Sequence, residues 1–202
     1  MSRTNPDTRT RILQAAWELL ESAEAPETRM ADIARRAGVS RQAVYLHFPT
    51  RAELLIATTH HIDAVKKADD RLAASRTAAT GPERLDAFIE AWGNYIPEIY
   101  GVGRALMAMS TTDEAARLAW DDRMQAVRHG CRAAVEALAR DGRLATEHSA
   151  EEATDLLWTL LSVPGWERLR LVCGWPQARY VEKMKALARR ALVAAQPGDG
   201  HP

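Results

Sequence analysis

A chain of 202 residues, 47% hydrophobic and 27% charged, holds enough apolar material for a folded core and is too apolar to be disordered. Its 27 basic and 27 acidic residues cancel, which excludes a uniformly basic coating protein and leaves any nucleic-acid role to a local basic surface. The two cysteines, Cys131 and Cys173, form no C-x-x-C pair, and there is no apolar signal core or membrane-length run, so a disulfide framework, a zinc site and a membrane span are not expected and a cytoplasmic protein is.

Ala, Leu, Arg and Glu recur while Val, Ile, Thr, Tyr and Phe are sparse, which predicts an all-α fold of about nine helices. Asn5-Pro6 can open the first helix, with Ile12, Leu13, Ala16, Leu19 and Leu20 on one face. The stretch from Glu24 to Glu27 breaks it. Thr28 can cap a second helix carrying Met30, Ile33, Ala34 and Ala37. Gly38-Val39-Ser40 reads as a tight turn, with Ser40 capping a third helix from Arg41 to about Phe48, where Pro49 stops it. Thr50 and Glu53 have capping-box spacing and open a fourth helix to about Lys67.

Longer helices follow. Gly81-Pro82 opens one with Leu85, Phe88, Ile89, Trp92, Tyr95 and Ile96 in a stripe, and Pro97 is expected to interrupt it before a short helix to about Met107. Thr112 is placed as the cap of a long helix from Asp113 to about Arg140. Ser149 and Glu152 form a second capping box, and the helix after it must bend or restart at Pro164-Gly165. Pro176 opens the last helix, and the tail 196–202 lacks apolar residues and should fray.

Residues 28–55 carry the functional signal. Two short helices joined by a three-residue turn, with small residues at the crossing, form a helix-turn-helix whose second helix exposes Arg41, Gln42, Ala43, Tyr45, Leu46 and His47. Basic side chains gather nearby at Arg3, Arg9, Arg11, Arg29, Arg35, Arg36, Arg41 and Arg51. Thr28, Ile33, Ala34, Ala37, Gly38, Val39, Ser40, Tyr45, His47, Phe48, Thr50, Arg51 and Leu54 match, in order, the signature of the TetR family of transcriptional regulators, which this segment resembles. The resemblance covers about residues 8–67.

That resemblance implies a DNA-binding domain over 1–67 including the connecting fourth helix, a helical ligand-binding and dimerisation domain over 68–195, and a flexible tail. Arg41, Gln42, Ala43 and Leu46 would meet base edges, since Arg pairs with guanine and Gln with adenine. Thr28, Ser40, Tyr45, His47, Thr50 and Arg51 would hold phosphates, Arg51 standing where most relatives have Lys. An effector pocket would draw on Trp92, Tyr95, Met107, Trp120, Met124 and Trp158, with Asn94, His129, Asp155 and Thr159 as polar anchors; Trp and Met at helical spacing also build ordinary core. A homodimer would form through the last two long helices, at Leu157, Leu161, Val181, Met184, Ala188, Ala191 and Leu192, although part of that stripe must face its own domain as ordinary core, and would read a pseudo-palindromic DNA operator. The expected activity is that of a repressor released by a largely apolar small molecule, with no catalysis, cofactor or metal.

Two other readings fit an all-helical chain. A carboxylate-bridged metal enzyme needs Glu three residues before a metal-binding His, and none of His47, His60, His61, His129, His148 and His201 has one. An interaction module with a vestigial helix-turn-helix would keep the packing residues and lose sequence-selective DNA binding.

Overall fold

The computed structural model describes residues 7–22 and 28–195, and those residues are helical throughout apart from turns and one isolated β-bridge, Leu144 to Val193. They divide into two compact units: those up to Lys67 with 99–124, and 68–98 with those from 125 onward. The change at Lys67 falls where the sequence placed a boundary, but residues 99–124, expected in the second domain, join the first unit. Their apolar side chains explain this, since Val102, Leu106, Met109, Ala116 and Ala119 are buried in the same cluster as Ile12, Leu20, Ile33, Val44 and Leu55.

The first unit begins with α1 (Thr8–Ser22), α2 (Met30–Ala37), α3 (Arg41–His47) and α4 (Arg51–Val65). Asp7 caps α1 by accepting the Thr10 N–H at 2.7 Å; the expected opening at Asn5-Pro6 lies outside the described residues. The N-cap of α2 is Arg29 without a side-chain bond, so Thr28 is not the cap expected there. Gly38 ends α2 in the left-handed region at φ 65, a conformation that costs a side chain about 1–2 kcal/mol. The Ser40 hydroxyl accepts the Ala43 N–H at 3.1 Å and Thr50 that of Glu53 at 3.1 Å, as their spacing predicts.

Two very short helices, α5 (Ala68–Arg71) and α6 (Ala73–Arg76), lead to α7 (Gly81–Ser110). This helix runs unbroken through Pro97, against the expected interruption. Proline removes the N–H that would satisfy the Gly93 carbonyl four residues earlier. The Gln177 side chain supplies the missing donor, its Nε2 reaching the Gly93 oxygen at 2.8 Å. The carbonyl that Pro97 leaves without its helical donor is therefore satisfied by a residue 84 positions away.

Helix α8 (Glu114–Arg140) starts on Asp113, whose carboxylate accepts the N–H groups of Ala115 and Ala116, rather than on Thr112. Helix α9 (Ala150–Leu160) opens on a complete capping box between Ser149 and Glu152. The chain restarts at Ser162 in α10 (Val163–Glu167), winds through a π-helical segment (Arg168–Val172), and ends in α11 (Gln177–Leu192). Among the described residues no helix is long and apolar enough to cross a membrane.

In the second unit α7 and α8 approach closely because two glycines stand at the contacts. A Cβ on Gly130 would lie 2.4 Å from the Phe88 ring, and one on Gly81 2.7 Å from the Leu138 backbone. The Trp92 indole donates to the Leu161 carbonyl at 2.9 Å, so this large core residue buries no unpaired N–H.

Candidate nucleic-acid interface

Helix α3 has seven residues, too few to be stable alone, so packing must hold it. Val44 is fully buried and Phe48, just past its end, is 3% exposed. Burying two such side chains stabilises by roughly 1.5–3 kcal/mol each. This anchor turns the other face outward: Arg41, Gln42, Tyr45, Leu46 and His47 are exposed, Ala43 partly so. Leu46 is the most exposed large apolar side chain of the described residues, at 79%.

Arg41 does not extend freely from this face. Its guanidinium sits over the Tyr45 ring, 5.5 Å from the centroid, and its Nη2 lies 3.4 Å from the phenol oxygen. One helical turn thus presents a cation already oriented by an aromatic neighbour.

The surrounding polar residues fall into two groups. Ser40, His47 and Thr50 are exposed beside α3. Thr28 and Arg51 face inward: Thr28 is 1% exposed, and Arg51 donates from Nε to the Thr28 carbonyl at 2.6 Å and from Nη1 to the Asp113 carboxylate. The structure gives these two expected phosphate residues internal partners. Arg11 is similarly engaged, its Nη2 donating to the Ala37 and Gly38 carbonyls at 2.6 and 3.1 Å, which satisfies the end of α2. Arg9 stacks over Phe48 at 5.1 Å, and Arg36 pairs with Glu18, whose carboxyl is held below its ordinary value by hydrogen bonds from Arg36 and Gln14. Arg11 and Arg36, read from the sequence as part of a local basic surface, thus have partners within the chain, and what the sequence did not reveal is those partners: the Ala37 and Gly38 carbonyls, Glu18, and Asp113 for Arg51.

The expected pocket residues are divided between the two units. Met107, Trp120 and Met124 belong to the first unit, while Trp92, Tyr95 and Trp158 belong to the second. Trp92 and Tyr95 are core, and Asp155 is engaged by Arg128. An open groove of about 520 Å³ runs along α1 and α4, lined by Arg9, Leu13, Glu53, Ile56, Ala57, His60, His61 and Ala64, with none of the six among them. Burial, with a smaller contribution from Arg9, lowers the His61 pKa and favours its neutral form. Among the described residues no cluster of three or more His, Cys, Asp or Glu side chains is arranged to hold a metal.

The expected dimer stripe serves the chain's own core. Leu157, Leu161, Val181, Met184, Ala188 and Leu192 are buried without any second copy, and only Ala191 of that set is exposed. An amphipathic helix turns its most apolar stripe to its own unit first. Large apolar side chains left outward on α9 and α11 are Leu156, 47% exposed, and Leu187, 45% exposed.

Two short helices joined by a three-residue turn, the second packed on one face and turning its polar face outward, have the arrangement of a helix-turn-helix DNA-binding protein. The model of the family described as "Bacterial regulatory proteins, tetR family" matches residues 12–58, the span from α1 into α4. An uncharacterised HTH-type transcriptional regulator of Mycobacterium bovis is 33% identical over 141 residues, covering 64% of this chain and 75% of that one. A transcriptional regulator from Saccharomonospora viridis, solved in complex with choline, superposes with a TM-score of 0.70 at 22% identity, covering 93% of this chain and 98% of its own. NalD of Pseudomonas aeruginosa, described as the secondary repressor of the MexAB-OprM multidrug efflux pump, gives 0.67 at 24% identity, covering 96% and 98%. The chain belongs to the tetR family of bacterial regulatory proteins and is a DNA-binding transcription regulator.

Proposed function

We propose that this regulator is a homodimeric repressor that reads a two-fold operator with α3 and leaves it when a small, largely apolar molecule binds the C-terminal region, residues 68–195. The observation that carries the reading is the outward face of α3, where Arg41, Gln42, Ala43 and Leu46 project while Val44 and Phe48 anchor the helix beneath. Arg41 and Gln42 are assigned to base edges, Leu46 and Ala43 to apolar contact such as a thymine methyl, and Ser40, Tyr45, His47 and Thr50 to phosphates.

One seven-residue helix gives too small an interface for operator-grade affinity, so two copies spaced one helical turn apart, about 34–36 Å, are needed. Leu156, Leu187 and Ala191 provide the apolar surface on α9 and α11 that a second copy would cover. A choline complex of a protein with the same fold supports a small-molecule effector. Release needs only differential affinity: a coupling of about 1–3 kcal/mol changes DNA binding 5–150-fold.

Selection of bound duplexes from a random pool, followed by a small-molecule screen for release, tests the whole reading. Enrichment of an inverted repeat that a small molecule releases is expected. Enrichment without any releasing compound would leave a constitutive DNA binder and remove the effector. No enrichment would favour the interaction module.

A further inference from the structure

We propose that Arg51 and Asp113 form an internal clip that positions the helix-turn-helix for DNA, and that Arg51 is not itself a phosphate ligand. The proposal rests on the DNA-binding reading and deepens it, by assigning a role to a residue outside the motif.

The geometry is specific. Arg51 is the first residue of α4, and its planar fork is split between two partners. Nε holds the carbonyl of Thr28, two residues before α2 begins, at 2.6 Å. Nη1 holds the carboxylate of Asp113, the residue that caps α8. The remaining Nη2 is buried and has no hydrogen-bond partner, so the fork is held by two of its three nitrogens. One guanidinium therefore joins the starts of three helices whose residues lie 23 and 62 positions away.

Both members are sheltered, with 21% of the Arg51 side chain and 18% of the Asp113 side chain exposed. To reach a phosphate, Arg51 would have to abandon the carbonyl of a nearly buried threonine and leave a sheltered carboxylate without its counter-charge. Removing one partner of such a pair is far more costly than breaking an exposed one. Burial by itself would raise the Asp113 pKa, but the hydrogen bonds from Arg51 and from the Ala116 and Ala115 N–H groups hold it below the ordinary 3.8, so the carboxylate stays charged near neutrality.

The clip bears on DNA binding because α2 leads into α3 through only the Gly38–Ser40 turn. Fixing where α2 starts therefore fixes the base-reading helix that follows. A lysine at position 51 would keep the charge but offer a single ammonium in place of a fork able to hold two acceptors in different directions. Arginine at 51 and aspartate at 113 act as a matched pair.

Binding to the duplex that the wild-type protein selects from a random pool, measured over a salt series, tests this. The variants are Arg51→Lys, Arg51→Ala, Asp113→Asn and the Arg51→Lys/Asp113→Asn double. Asparagine at 113 keeps an oxygen for the α8 cap. Circular dichroism and stoichiometric titration establish the folded and active fraction of each, so that unfolding is not read as misplacement. The clip predicts that all three single changes weaken binding by about tenfold in fully active protein. It also predicts an unchanged slope of log affinity against log salt, the same base preferences, and a double variant no worse than its worse single. Arg51→Lys binding as wild type, with Arg51→Ala flattening the slope by about 0.9 for each helix-turn-helix bound, would show a lost phosphate contact and overturn the proposal. It is equally overturned if the variants bind as wild type, or if every loss is accounted for by the inactive fraction. Failure of the DNA-binding reading would look different, since the wild-type protein would then select no duplex.

Discussion

The helix-turn-helix and the second unit use their polar side chains in opposite ways. On α3 buried Val44, with Phe48 just past its end, holds the helix, and arginine, glutamine and histidine point outward. In the second unit the polar groups close on one another. Gln177 accepts from the Trp166 indole and the Arg170 guanidinium while donating to Gly93. Arg189 grips Asp86 with two bonds, and Arg128 lies between Glu151 and Asp155. Polar residues engaged within the chain fix a fold; those left outward on a rigid element are available to a partner. Substitutions in the two regions should therefore separate into losses of stability and losses of recognition.

The largest expected effect is in the second unit. Trp92→Ala removes a buried indole and leaves the Leu161 carbonyl without its donor. It should cost about 3–5 kcal/mol by chemical denaturation. A loss under 1 kcal/mol would mean that this core collapses around the gap. Gln177→Leu keeps volume but orphans the Gly93 carbonyl opposite Pro97, and a loss of about 1–3 kcal/mol is expected. No loss would show that solvent satisfies that carbonyl and that α7 needs no help to pass its proline. Gly38→Ala, at φ 65, should cost about 1–2 kcal/mol, measured by the same melt.

These three sites show what was legible beforehand. The motif helices, the Gly38 turn and the Ser40 and Thr50 caps could be read because their signals are local, set by residues three or four positions apart. The continuity of α7 was not, because the donor that rescues Pro97 comes from α11. The stripe of Val181, Met184, Ala188 and Leu192 was correctly seen as apolar, but periodicity does not say whether a helix faces its own unit or a second copy. Thr28 and Arg51 match a phosphate-binding pattern in order and type, yet the Asp113 that draws Arg51 inward lies far along the chain. In the candidate site, then, the exposed face of α3 was readable, and the long-range partners around it were not.

Two smaller effects sharpen the contrast in solution. Burial pushes the Cys131 thiol up to about 12, whereas Cys173 is exposed. One thiol per native chain should react rapidly with a disulfide reagent at pH 8, and the second only after unfolding. Rapid reaction of both would mean that the second unit opens readily. Because the Asp113 pKa is lower in the folded protein than in the unfolded chain, its contribution is fully present above about pH 3.8 and drains away as pH falls through the lower folded value. Asp113→Asn should flatten that part of the acid limb in a pH–stability profile, and an unchanged limb would place the pair's contribution elsewhere. Least affected in stability should be Gln42→Ala on the exposed face, within about 0.5 kcal/mol of wild type.

The claim on which the account depends is that the outward side chains of α3 read bases. The most direct measurement is the base-by-base preference profile from pool selection, taken in parallel for the wild-type protein, Arg41→Ala and Gln42→Ala. The account predicts an inverted repeat in which each variant loses preference at its own position in both half-sites, by about 1–3 kcal/mol, while the other positions hold. Identical profiles for all three proteins would contradict it.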